Sequence, residues 1–323
     1  MLTRLLYLVE HVKQNIVYCI QFNEKQELSY WLAEYYYSGY QEECMEWLTQ
    51  IYYQYYALTY PCFEKYIHKK RMLYSNTNDY AILVYIANNL RIKQHSTFYD
   101  QAAMQSPKIN RGRKPSWLSV YTSSLKPFVY LISKQDWNNV YKRIQSSQLD
   151  SLPEMYESVC QYANNHESID PELLRYYHTI TANYQIDTIK QMLFATCLHI
   201  TQDYPINTSY GSWLTHKKRL TIYTSLVTND RPYETLKLNV KYPTRQTMTQ
   251  SQLVSILQHW LLYSYACPLW RERIDHYGGK QVNQSIVFAN DEKLEAFSDT
   301  YGYELDEQTN NMYKKLYSVS FTQ

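Results

Sequence analysis

Six glycines in 323 residues are the tightest constraint on what this chain can fold into. They are Gly39, Gly112, Gly211, Gly278, Gly279 and Gly302. Tight hairpins and small barrels place glycine at left-handed turn positions, so the scarcity argues against a β-rich fold. No two of the six stand in GxGxxG or GxxxxGK spacing. Backbone amides then have no glycine-lined loop with which to approach a phosphate chain, which argues against P-loop and Rossmann-type nucleotide sites.

The hydrophobic pattern points to helices joined by short links. Leu5, Leu6, Val9, Val12, Ile16 and Ile20 recur at three- and four-residue steps, which predicts a helix over 2–22 with Asn23 as a cap for the next. A helix over 24–38 stops at Gly39, and one over 41–60 follows. Pro61 opens a third that ends at His68, Lys69, Lys70 and Arg71. Further helices are expected over 78–91, 153–165, 171–184, 185–201, 213–227 and 291–299. One over 123–149 should break at Pro127, and one over 250–277 should break near Pro268 and end at Gly278 and Gly279. Residues 285–289 read as a short β-like run. Leu236, Leu238 and Val240 alternate with polar neighbours, so 233–243 reads as a short extended or β segment.

The expected fold is therefore all-α: an irregular multi-helix bundle or helical-repeat-like array. No fixed-period repeat is present. Its expected parts are a Tyr-rich helical domain at 1–104, a basic loop at 105–116, a second helical domain at 117–302 and a polar tail at 303–323. The apolar start carries Glu10, His11 and Lys13 and reads as an amphipathic helix, not as a signal peptide. No run of about 18 apolar residues suggests a membrane span. Six cysteines lack any CxxC pair and read as reduced thiols in an intracellular protein. The sequons at Asn207 and Asn283 carry no weight in that setting.

Four features could carry function. First, tyrosine is abundant, at 37 residues. Successive helical residues are spread by about 100°, so Tyr35, Tyr36, Tyr37, Tyr40, Tyr52, Tyr53, Tyr55 and Tyr56 cannot all face one core. Some should line a second interface, within the chain or against a protein partner. Second, Lys108, Arg111, Arg113 and Lys114 form an acid-free basic loop. It is related to an AT-hook core, but Lys114 intervenes before Pro115. Lys69, Lys70, Arg71 and Lys217, Lys218, Arg219 are further clusters, and their convergence with the loop would favour RNA or single-stranded nucleic acid. Third, no HExxH, GxSxG or His/Cys metal constellation is present, so no catalytic, metal or cofactor set is assigned. Cys197 and His199, two residues apart, do not share a helix face. Glu42, Glu43 and Glu46 read as helix-start carboxylates. Fourth, Asp291, Glu292, Glu295, Asp299, Glu304, Asp306 and Glu307 make an acidic end, a solvated tail or a dock for a basic partner.

The run Leu28–Gln41 with its Tyr-Tyr-Ser-Gly-Tyr string, then Glu43, Trp47, Ile51, Tyr52, Tyr55 and Tyr56 before Pro61, resembles uncharacterised helical proteins encoded by nucleocytoplasmic large DNA viruses (giant viruses). Similarity continues through Pro107–Pro115, Trp270–Ile274 and Tyr301–Tyr303. The resemblance implies a viral protein working in the host cytoplasm or viral factory, and it transfers no functional residue. The leading expectation is a non-enzymatic adaptor or scaffold subunit, serving a translation-initiation or transcription complex and binding virus-encoded proteins. The alternative is a nucleic-acid-binding protein that uses the basic loop and exposed tyrosines. An enzyme whose site only the fold assembles is a third.

Overall fold

The computed structural model describes residues 1–107, 115–164, 184–200, 255–256 and 258–301. Those residues hold thirteen α-helices and one two-stranded antiparallel sheet, so the fold is all-α. The expected helices over 171–184 and 213–227, the extended segment at 233–243 and the tail at 303–323 lie outside the described residues. The chain forms two compact units that interleave along the sequence. Unit 1 comprises Met1–Met45, Asn78–Ile92 and the described residues within Thr215–Gln323. Unit 2 comprises Glu46–Thr77 and the described residues within Lys93–Leu214.

Unit 1 opens with a buried loop where a helix was expected. Leu2 bridges to Leu8, and Leu6 adopts φ +61°. The Thr3 amide donates to the Tyr7 carbonyl at 2.8 Å, and the Tyr7 amide returns to Thr3 Oγ1 at 3.2 Å. Leu2, Leu5, Leu6, Tyr7 and Leu8 are all buried. Burial on every side therefore produced the apolar spacing that reads as a helix. Helix α1 begins only at Val9 (Val9–Gln21). Asn23 is the left-handed residue after that helix, at φ +66°, and it does not cap the next one. Helix α2 (Lys25–Tyr37) ends before Gly39 at φ +95°. A Cβ on Gly39 would stand 2.5 Å from Pro268 Cβ, so glycine is needed there for approach as well as conformation.

Helix α3 (Gln41–Tyr55) begins in unit 1 and continues into unit 2. Unit 2 goes on with a 3₁₀ turn at Pro61–Phe63 and helix α4 (Glu64–Thr77), which runs past the expected stop at Arg71. In unit 1, α5 (Tyr80–Arg91) is capped by Asp79, whose Oδ1 accepts the Ala81 amide at 2.9 Å. Helices α1, α2 and α5 pack on one another.

In unit 2, a seven-residue helix unforeseen from the sequence, α6 (Phe98–Met104), precedes α7 (Lys126–Ser133) and α8 (Trp137–Ser146). The break between α7 and α8 falls at Gln135, φ +51°, and not at Pro127. Pro127 sits in the first turn of α7, where a missing amide hydrogen is harmless. Helices α9 (Leu152–Asn164) and α10 (Ile186–Ile200) follow among the described residues of the unit. Its core includes Phe194 with edge-on contacts from Tyr99 and Tyr141, at 4.9 and 5.2 Å between ring centroids.

Among its described residues, unit 1 continues with α11 (Trp260–Tyr265), α12 (Pro268–His276), a hairpin and α13 (Asp291–Tyr301). The break before Pro268 and the stop at Gly278, φ +75°, match expectation. The β-like run over 285–289 is strand β2 (Ser285–Val287), paired with β1 (Lys280–Val282).

Candidate functional site

The tyrosines expected on a second face are mostly inside the chain. Tyr35, Tyr40, Tyr52, Tyr53, Tyr55 and Tyr56 are buried, which removes them as docking residues. Tyr36 and Tyr37 are half-buried. The further faces meet the same chain, because α3 is packed on several sides: residues 51–58 are buried without interruption. Such burial needs partners for the phenols. Tyr36 donates to the Asn78 carbonyl at 2.5 Å, and Tyr52 to the Pro61 carbonyl at 3.0 Å. Burial pushes the Tyr35 and Tyr56 phenols upward, so both stay protonated.

The basic clusters divide differently. Lys108, Arg111, Arg113, Lys114, Lys217, Lys218 and Arg219 lie outside the described residues, and so does any convergence among them. Lys69, Lys70 and Arg71 lie on α4. Arg71 turns inward to form an ion pair with Glu46. Lys70 lies over the Tyr66 ring at 5.6 Å, and Lys69 is exposed.

Glu46 is the functional-type residue that the sequence reading misplaced. It is 3% exposed and joins three elements. Its Oε1 receives Arg71, and its Oε2 accepts the Thr188 hydroxyl of α10 at 2.8 Å. Gln50 donates to the same hydroxyl at 3.3 Å. The Arg71 guanidinium lies 4.6 Å over the Tyr184 ring. Tyr184 in turn donates to Glu64 Oε1 at 2.6 Å, where Tyr53 also donates at 3.2 Å. Seven side chains from α3, α4 and the start of α10 thus form one polar chain. A positional signal existed: Glu46 is the sixth residue of α3, beyond the turn in which a carboxylate answers the helix dipole.

Unit 1 holds a matching device. Glu34 of α2 is fully buried. Its Oε2 takes the Arg4 Nε at 2.8 Å, and its Oε1 takes the Leu5 amide at 2.9 Å. Burial holds its carboxyl above the ordinary value, although Arg4 and the hydrogen bonds from Thr3 and Leu5 pull it down. Ser38 extends the cluster. Its hydroxyl accepts the Arg4 amide at 2.8 Å, and its carbonyl accepts the Cys267 thiol at 3.1 Å. The Trp270 indole donates to the Thr3 carbonyl at 3.1 Å. The cluster pins the opening loop between α2 and α12.

Other reactive groups are similarly restrained. Burial raises the Cys19, Cys44 and Cys197 thiols and pushes Cys160 up to about 11, so none is poised as a thiolate. Burial lowers His199 to about 4, and its Nε2 lies 3.0 Å from the Ala57 carbonyl. Two open clefts are present. One of about 650 Å³ in unit 2 is lined by Tyr121, Leu125, Glu154, Glu157 and Cys160. One of about 540 Å³ in unit 1 is lined by Leu262, Tyr265, Arg271 and Gln281. In the first, burial and then the nearby Glu157 carboxylate hold the Cys160 thiol protonated. Among the described residues no three His, Cys, Asp or Glu side chains converge as a metal-ligand set, and no helix is long and apolar enough to cross a membrane. Comparison of the chain with protein-family models, curated proteins and solved structures finds no match.

Proposed function

We propose that this chain is a non-enzymatic helical scaffold or adaptor subunit of a multi-protein assembly. One observation carries the reading: the acids that the fold buries join distant elements. Glu34 ties the opening loop to α2, while Glu46 and Glu64 tie α3 and α4 to α10 and Tyr184. A buried carboxylate held by several donors is a rigid joint, and its lone pairs are not offered to a substrate. Rigid helical frames of this kind serve as platforms for partners. The viral resemblance of the Leu28–Gln41 run supports placing the assembly in viral gene expression, an inference by analogy of build.

The test is affinity purification of the tagged full chain after crosslinking in cells, with and without nuclease. A protein partner retained in fixed ratio after nuclease treatment supports the scaffold reading. Recovery of the chain alone overturns it. Recovery of RNA, with protein lost on nuclease treatment, transfers the function to nucleic-acid binding.

A further inference from the structure

The cleft of about 540 Å³ in unit 1 is lined by residues of α11, α12 and the turn that joins β1 to β2. Helix α11 is six residues long, so its closing carbonyls lack partners within it. The Tyr265 carbonyl finds one across the Pro268 break, where Arg271 Nε donates to it at 3.2 Å. The same guanidinium stands 5.6 Å from the centre of the Tyr265 ring. That ring is held in turn by its hydroxyl, which donates to Asp275 Oδ1 at 2.9 Å. Arg271 is thus oriented by a neutral carbonyl and a ring. Its two terminal nitrogens make no hydrogen bond or ion pair among the described residues, and neither Glu272 nor Asp275 forms an ion pair with it.

The turn supplies another wall. Asn283 adopts φ +55°, and Gln281 Nε2 donates to the Asn283 carbonyl at 3.3 Å. Together with Gln284, the turn brings three carboxamides to the cleft and no acid. Leu262 and Ala266 contribute apolar lining. Lys280 precedes Gln281 in β1 and so faces the other side of the hairpin. Arg273 is engaged with the Trp270 and Tyr301 rings, 4.8 and 4.9 Å away. Arg271 is therefore the one charged residue among those that line the cleft.

We propose that this cleft binds a carboxylate carried on a short aliphatic body. The site is separate from the scaffold reading and does not depend on it. A guanidinium fork matches a carboxylate in two parallel hydrogen bonds, and an arginine already held in place loses less freedom in forming them. The carboxamides of the turn can rotate to donate further N–H groups to the same oxygens. Leu262 and Ala266 reward an aliphatic body and offer nothing to a purely polar anion. The volume lies within the range of small-ligand sites. A phosphate ester fits less well, because it carries close to two charges and the cleft sets one cation against them. A cationic ligand meets the charge of Arg271 directly. The carboxylate could come from a free organic acid or from the carboxyl end of a peptide, and the chemistry of recognition is the same.

The test titrates isovalerate into the isotope-labelled full chain at constant ionic strength and follows side-chain signals by NMR. The Arg271 Nε–H is observable because its bond to the Tyr265 carbonyl slows exchange with water. The expected result is a saturable shift of that signal together with the Gln281 and Gln284 amides. R271Q, read at the two glutamines, should weaken binding at least roughly tenfold. Q284E keeps Arg271 and sets an acid in the cleft, and it should weaken binding comparably. Both positions are exposed, so backbone signals of the hairpin should stay in place in the free variants. N-acetylvaline has the isovalerate skeleton with a peptide-like amide. Tighter binding of N-acetylvaline supports the site with a peptide carboxyl end as its ligand, and tighter binding of isovalerate supports it with a free acid. Absence of saturation, equal shifts with isoamylamine, tighter binding of inorganic phosphate, or saturation unchanged in both variants overturns the assignment. Recovery of the chain alone on affinity purification would overturn the scaffold reading and leave this site standing.

Discussion

Replacing Arg4 by Met tests whether the opening loop is held by charge. The substitution keeps much of the aliphatic stem and removes the guanidinium that donates to Glu34 Oε2 at 2.8 Å. Glu34 is fully buried and Arg4 is 8% exposed, so water cannot readily replace the lost partner. Removing one member of a buried pair typically costs about 3–5 kcal/mol, because the remaining charge stays uncompensated. The Leu5 amide still donates to Oε1, which favours the lower half of that range. Glu34 can also escape by taking up a proton. Burial already raises its pKa in the intact protein, and loss of Arg4 removes the largest opposing cause.

The sign of the pH dependence follows. A carboxyl whose folded pKa is raised contributes stability below its unfolded pKa and loses it as pH rises through the folded value. The deficit of R4M should therefore be largest at neutral pH and shrink as pH falls toward the ordinary glutamate value of 4.5. The double variant R4M/E34Q keeps an oxygen for the Leu5 amide and carries no charge. It should recover to within about 1 kcal/mol of the parent, since a paired and a neutral interior are often equivalent. Urea titration read by hydrogen exchange on peptides from 1–8 and from α2 reports on this unit separately from the other. A cost for R4M below about 1 kcal/mol, or a double variant as unstable as the single, would refute a charge-held loop.

Gly39→Ala should destabilise unit 1 by about 2 kcal/mol or more, since it combines left-handed strain with a clash against Pro268, and a melting-point drop would show it. Tyr184→Phe removes the shorter hydrogen bond to Glu64 and should cost about 1–2 kcal/mol, read by urea midpoint. His199 is depressed to about 4 from 6.5, so it supplies stability above pH 6.5 that is lost as pH falls toward 4. The effect is on the order of 3 kcal/mol, and His199→Gln should flatten that slope. Asp100 acts in the opposite direction. Burial raises it to about 6, against hydrogen bonds from Gln54 and Tyr55, so its contribution falls as pH rises through 6, and Asp100→Asn should remove that fall in a pH series of melting points.

Period and punctuation made most helices legible because both are local. Gly39, Pro61, Pro268 and Gly278 mark real ends, α5 and α10 fall where apolar steps of three and four place them, and α9 follows the proline near its start. The opening loop was not legible, because leucines buried on several sides fill helical spacings as well as any others and so mimic a helix. Helix α6 was missed because seven residues give less than two full turns of pattern. The interleaving of two units is a property of long-range contacts that periodicity does not report.

The tyrosines bring these two levels together. Local geometry correctly required that residues 35–37 and 52–56 could not share one face. It could not say whether the further faces met solvent, a partner or the same chain. The fold answers with the same chain at six of the eight named tyrosines, and some of those phenols find acceptors inside it. Glu64 is one such acceptor, receiving Tyr53 and Tyr184 together. A carboxylate that a sequence reader would inspect for chemistry is thus bound up with the aromatic surplus.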